Sequence, residues 1–170
     1  MMSASGLSDE VMARFCHALR GVANTVTVIT AHDGDRHHGM TATAVMSVSM
    51  DPPSLAVCLN RATLLHDIVT RSRRFCVNIL DEDQETVSAA FSGAMPATER
   101  FRLGRWLYDG QGLGWLADAQ ASLFCRRTAA LPYGTHTLFI GEIEDVRFGA
   151  RQSPLIYQNG SYGRSIAHAG

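Results

Sequence analysis

The chain has 170 residues, 46% of them apolar and 18% charged, with a formal net charge of -1; that make-up suits one globular domain with its own core and speaks against a disordered chain or a coiled coil. A near-neutral chain has no field to draw nucleic acid or an anionic membrane, and no apolar stretch is long enough to span a bilayer. Cys16, Cys58, Cys76 and Cys125 lie far apart without a CxxC pair, and Met1 to Gly6 lacks the layout of a secretory signal, so the thiols are expected to be reduced and the protein cytoplasmic.

Ser8 caps an opening helix in which Val11, Phe15, Leu19 and Val22 recur at helical spacing, with Asp9 and Glu10 at its positive end. Thr25 to Thr30 reads as a strand, Asp33-Gly34 as a turn, and Met40 to Met50 as one second strand that Asp51-Pro52-Pro53 ends. Ser54 to Leu59 is a third strand, Ala62 to Thr70 a helix, and Arg74 to Leu80 a strand again. Asp81 and Asp83 are expected to cap a helix through Val87 and Phe91 that stops at Gly93. Met95 to Asp118 reads as loop, and Ala121 to Cys125, Thr137 to Val146 and Leu155 to Tyr157 as strands. Many strands and few short helices, without regular βαβ alternation, predict a closed or partly closed barrel.

Some suggestive groups have plainer explanations. Gly110-Gln111-Gly112-Leu113-Gly114 lacks the GxGxxG spacing and a following helix, and reads as a surface loop. His32, His37 and His38 have no partner spaced to complete a metal shell, so they are expected at a hairpin rim. Asp81, Glu82, Asp83 and Glu85 read as acids at a helix N-terminus, and Arg71, Arg73 and Arg74 as a solvated helix end. No metal site is expected.

The informative run is Gly39 to Pro53, GMTATAVMSVSMDPP, where hydroxyls and tiny side chains stand where a core strand carries bulk. Small residues let a flat ring approach the backbone, and Thr and Ser hydroxyls with main-chain N–H groups bond ring carbonyls and phosphates. Taken alone, the run fits a polar edge strand equally well.

With its companions it resembles a known family. Gly21 to Thr30, Gly39 to Pro53, Arg74 to Leu80, Phe91-Ser92-Gly93, Glu99-Arg100-Phe101, Gly134 to Glu142, Pro154 to Tyr157 and Gly160-Ser161-Tyr162 follow one another from about Phe15 to Tyr162. In that order they resemble the flavin reductase-like family, the reductase components of two-component flavin-dependent monooxygenases. The resemblance implies a mainly β fold with short helices, an FMN-binding split β-barrel of Greek-key type. It also implies one domain over 1–170 with its core at about 12–163, and a homodimer with flavin near the subunit interface.

Carried over by position, Thr41, Ala42, Thr43, Ala44 and Val45 would run along the isoalloxazine, and Ser47 and Val48 would serve the ribityl and phosphate end. Arg61, Ala62 and Thr63 would contact phosphate, where a helix N-terminus also favours an anion; Phe91, Ser92 and Arg100 would be neighbours. His136 in Gly134-Thr135-His136 would contact nicotinamide, in a segment that usually reads Gly-Asp-His, and Tyr162 would wall the same pocket. The implied activity is NAD(P)H:flavin oxidoreduction, with FMN or FAD, NADH or NADPH, and reduced flavin released to a larger monooxygenase. The alternatives are a non-enzymatic flavin-binding or electron-transfer barrel, an oxidase of the pyridoxamine-phosphate class, and a structural barrel without flavin.

Overall fold

β-Branched and aromatic runs, cut by Gly, Asp and Pro turns, produce a sheet whose ladders are all antiparallel. The computed structural model describes residues 8–168, so the reading of Met1 to Gly6 lies outside the described residues. Helix α1 (Asp9–Arg20) precedes β1 (Asn24–Thr25), β2 (Thr27–His32), β3 (His37–Ala42), β4 (Val45–Met50) and β5 (Pro53–Asn60). Then come α2 (Leu64–Ser72), β6 (Arg74–Ile79), α3 (Glu85–Ala89), a π-helical turn (Ala90–Ala94) and a 3-10 turn (Arg100–Arg102). The remainder is β7 (Trp106–Tyr108), β8 (Gly114–Leu116), β9 (Ala121–Tyr133), β10 (His136–Phe148), β11 (Leu155–Gln158) and β12 (Ser161–Arg164).

The main sheet has seven strands in the order β3-β2-β6-β9-β10-β5-β4. Its edge strands β3 and β4 are consecutive in the chain, joined only by Thr43 and Ala44. Laid flat, the edges would stand about 29 Å apart at the usual strand spacing, whereas that dipeptide link reaches no more than about 11 Å. The sheet therefore curls into a barrel that stays split along one seam. Gly141 permits the curl on β10, since a Cβ there would lie 2.5 Å from Phe75 Cζ and 2.8 Å from Cys125 Cβ. The barrel interior holds Ile29, Val57, Leu59, Phe75, Val77 and Phe139, and α2 closes one end with Leu65, Ile68 and Val69. A second cluster outside the wall, around Val28, Leu80, Phe91, Leu116 and Leu155, fixes the π turn, the β7–β8 hairpin and β11.

Several expectations need correction. Met40 to Met50 is two strands, because the chain changes partner from β2 to β5 at Thr43-Ala44, and the second of them carries a register shift between Ser47 and Ser49. Met95 to Asp118 contains the 3-10 turn and the β7–β8 hairpin, whose three-residue strands are too short to show a period. β9 and β10 run past their expected ends to Tyr133 and Phe148, and β12 was not anticipated at all. Asp81 and Asp83 do not cap α3, whose N-cap is Gln84; with Glu82 they surround Arg151, a cation from far along the chain. Arg74 is no solvated helix end: it begins β6 and bonds Glu144 and Asp109, each at 3.0 Å. α1 forms with its Ser8 cap, yet it buries no residue, so its apolar stripe has no covering partner among the described residues. All four cysteines are free, with Cys76 and Cys125 buried, Cys58 half-buried and Cys16 exposed.

Asn78 ties the two clusters together. Its fully buried amide donates to Val28 O (2.9 Å) and accepts from Leu116 N (2.8 Å) and Ser122 Oγ (2.9 Å), joining β2, β8 and β9. Asn78→Ala leaves a buried carbonyl and a buried amide unpaired, and is expected to cost about 2–4 kcal/mol. A chemical denaturation midpoint equal to that of the unaltered protein would show that this side chain bridges nothing of consequence.

Candidate functional site

The seam of the barrel leaves β3 as an edge strand, with a row of main-chain N–H and C=O groups on its outer side. Facing it across a groove stand the π turn and β11–β12. The turn runs on directly from α3, and Gly93 within it breaks the helical path at φ 117°, a conformation that suits glycine. Ser88, fully buried, organises the wall. Its carbonyl accepts from Thr41 Oγ1 at 2.7 Å and from Ser92 Oγ at 2.9 Å, and its own hydroxyl lies 2.9 Å from the Tyr162 hydroxyl. The Thr41 and Ser92 protons are thereby committed, and both hydroxyls turn lone pairs to the groove as acceptors.

Three adjoining hollows follow the seam. The first, about 260 Å³, is lined by Val26, Thr41, Ala42, Thr43, Ser88, Ser92, Tyr157 and Tyr162. The second, about 410 Å³, shares Thr41 and Ser92 and adds His38, Met40, Thr63, Leu64, Phe91 and Arg100. The third, about 440 Å³, opens from Thr43 along Val45, Met46 and Ser47 toward the barrel mouth. Their sizes match those of small-molecule sites.

The structure thus brings Thr41, Ala42, Thr43, Thr63, Phe91, Ser92, Arg100 and Tyr162 into the first two hollows, and Val45 and Ser47 into the third. Phe91 is a buried wall, packed where Gly39 lacks a side chain. Ala44 and Val48 are exposed at the seam and line none of the three. Arg61 and Ala62 are exposed too, and the loop's amides are spent internally: Arg61 N donates to Thr135 O, Ala62 N to Asn60 Oδ1, Thr63 N to Asn60 O and His66 N to Thr63 Oγ1. The N–H groups of Arg61 to Thr63 are therefore committed, and the helix N-terminus expected to favour an anion begins only after them, at Leu64.

Gly134, at φ 55°, turns the β9–β10 hairpin, and His136 stands exposed beside it, in register with Asn60. His136 lines none of the three hollows. Its Nδ1 is 2.8 Å from Thr135 Oγ1, so the threonine in place of the usual acid supplies a hydrogen bond but no charge. A donated Thr135 proton fixes the imidazole as the tautomer with its proton on Nε2.

His38 was expected at a hairpin rim and is instead 8% exposed, facing the second hollow. Adjacent strand residues face opposite ways, so one of His37 and His38 had to point inward; that alternation was the available signal. Burial, then the Arg100 and Arg36 charges, pulls His38 below the usual histidine range. Arg100 donates from Nε to Met95 O (3.1 Å) and from Nη1 to Gly39 O (3.3 Å), and no carboxylate among the described residues pairs with it. No cluster of three or more His, Cys, Asp or Glu among the described residues is placed to hold a metal ion, and no helix among them is long and apolar enough to cross a membrane.

Comparison with known proteins adds what geometry leaves open. The family model described as flavin reductase like domain matches residues 19–165. The chain is 49% identical over 156 residues to the reductase component of a FADH2-dependent resorcinol hydroxylase from a Rhizobium species, covering 91% of this chain and 87% of that one. It is 37% identical over 150 residues to an NADH-dependent FMN reductase of Methylorubrum extorquens, covering 88% and 75%. Among solved structures, the styrene monooxygenase flavin reductase of Pseudomonas putida superposes with a TM-score of 0.80 at 28% identity, over 92% of this chain and 99% of that one.

Ser88→Ala keeps the carbonyl but removes the partner of the Tyr162 hydroxyl, an expected loss of about 1 kcal/mol. It should appear as a lower urea midpoint at unchanged slope, and an unmoved midpoint would mean that the Ser88–Tyr162 contact does not brace β12.

Proposed function

The chain belongs to the flavin reductase like domain family, and from that premise we propose that it is an NAD(P)H-dependent flavin reductase serving a separate monooxygenase. The observation that carries the reading is the groove at the seam, walled by Thr41, Ala42, Thr43, Ser92 and Tyr162, in a chain that matches the family over residues 19–165. The wall suits a flavin: small side chains admit a flat ring, the edge of β3 offers main-chain donors, and the committed hydroxyls of Thr41 and Ser92 accept from ring N–H groups.

When bound, the flavin supplies the hydride-accepting ring, and the reduced nicotinamide supplies the hydride. The chain's own residues hold, align and shield. Thr41 to Val45 would run along the flavin, while Tyr162 and His136 would orient the nicotinamide, the imidazole of His136 held at Nδ1 by the Thr135 hydroxyl. Holding the two rings in register is where such a protein lowers the barrier.

The partner is a larger flavin-dependent monooxygenase, as for the resorcinol hydroxylase relative. The subunit state is a homodimer. Val11, Phe15 and Leu19 on α1, Met46, Val48 and Met50 on β4, and Leu131 and Tyr133 on the β9–β10 hairpin are all exposed, more apolar surface than a lone chain carries without cause. Ala44, Val48 and His136, which line no hollow in the single chain, lie on this seam and hairpin, consistent with flavin near the subunit interface. The free cysteines fit a reducing cytoplasm.

Isolated protein at catalytic concentration, kept anaerobic, should bleach the visible absorbance of excess FMN or FAD as NADH is added, one flavin per NADH; no bleaching with either nicotinamide removes the reductase reading. His136→Ala should raise KM for the nicotinamide about tenfold while leaving the flavin Kd nearly unchanged; equal loss of both would make His136 structural. Sedimentation should give twice the chain mass, and a monomer at micromolar concentration would contradict the dimer.

A further inference from the structure

Both cofactors of such a reductase carry phosphoryl groups, which need cations or free N–H donors. The chain contains no lysine at all, so that task falls to arginine, histidine and the backbone. Most arginines are neutralised: Arg36, Arg71, Arg74, Arg102, Arg105, Arg126, Arg147 and Arg151 are all ion-paired. The first hollow has no cationic side chain in its wall, and neither does the third, where Ser47 lies. The second has two, His38 and Arg100, and no carboxylate.

We propose that His38 and Arg100 form the phosphate subsite of this groove, and that the cofactor's phosphoryl end lies there rather than at Ser47 and Val48. The proposal deepens, and rests on, the reductase reading. Arg100 is held rigidly by two carbonyl oxygens, Met95 O and Gly39 O, through Nε and Nη1, which leaves its other N–H groups for a ligand. His38 is more than nine-tenths buried, has no hydrogen-bond partner among the described residues, and faces the same space. An imidazole beside a guanidinium that no carboxylate among the described residues pairs with leaves this wall of the groove without a counter-charge. An anion relieves it: the ligand neutralises Arg100 and accepts from the imidazole, which takes up a proton more readily beside a negative charge. Gly39 contributes twice, presenting its carbonyl to Arg100 and leaving room for Phe91. Because Thr41 and Ser92 line both hollows, the phosphate place is continuous with the ring place.

The shared chemistry is a phosphate monoester or pyrophosphate, from flavin or from nicotinamide, and ligand comparison separates the two. Kd values for riboflavin, FMN, FAD and NAD+ are measured by fluorescence quenching and equilibrium dialysis on the unaltered protein, His38→Gln and Arg100→Lys. If the flavin phosphate binds here, both variants lose tenfold or more for FMN and FAD while riboflavin, which has no phosphate, binds as before. If the nicotinamide pyrophosphate binds here, NAD+ alone weakens by that factor. Unchanged affinity for all four ligands overturns the subsite, and so does an equal loss for all four, which marks the pair as structural. Unaltered protein that neither binds nor reduces flavin overturns the reductase reading instead, before any variant is compared.

Discussion

The edges of the seven-stranded sheet are consecutive strands, and the dipeptide between them is too short to reach across a flat sheet. Curling follows from chain length alone, and so does the seam. Where the barrel closes on itself, β3 pairs with β2 on one side and with no strand among the described residues on the other, so its backbone polar groups, apart from the Gly39 and Ala42 carbonyls that accept from Arg100 and Thr27, are left for solvent or a ligand. Bulky residues here would fill the gap; Thr41, Ala42 and Thr43 keep it open. The same dipeptide that forces closure therefore defines the groove and its small-residue wall.

The opposite wall depends on buried polar bonds. Asn78 fixes β8 to the barrel, which in turn supports Phe91 through the Phe91, Phe101 and Trp106 rings, whose centroids lie 5.0 to 5.2 Å apart. Ser88 then aligns Thr41, Ser92 and Tyr162 around one residue. Each satisfied group leaves a known residual capacity, so the groove faces its ligand with acceptors at Thr41 and Ser92 and donors at Arg100. Hydride transfer between two organic cofactors asks the protein for positioning, and a rigid wall of committed hydrogen bonds is suited to that.

Legibility varied with the range of the signal. Helices α1 and α2 and most core strands were readable because their periods are local, as is the cap at Ser8, whereas the cap at Thr63 falls inside the stretch expected as helix. The partner change at Thr43-Ala44 was hidden, since alternation says which way a side chain faces but not which strand lies beside it. Arg151 among Asp81, Glu82 and Asp83 was hidden for the same reason, being some seventy residues away in sequence. Along the groove, the hydroxyl-rich run marked one wall, and the ordered resemblance marked the π turn and Tyr162. His38 was masked by the adjacent His37, and Ser88 had no motif, because its role depends on three residues that only the fold gathers.

The central claim is that the open seam at Thr43 is where the flavin ring lies. Thr43 is exposed, so Thr43→Trp alters the groove without disturbing the core, and unchanged circular dichroism and denaturation midpoint verify the fold. Riboflavin, the ring without a phosphate, is then titrated into the unaltered protein and the variant. The account expects its affinity to collapse by two orders of magnitude or more in the variant; undiminished affinity with the bulky indole in place would contradict it.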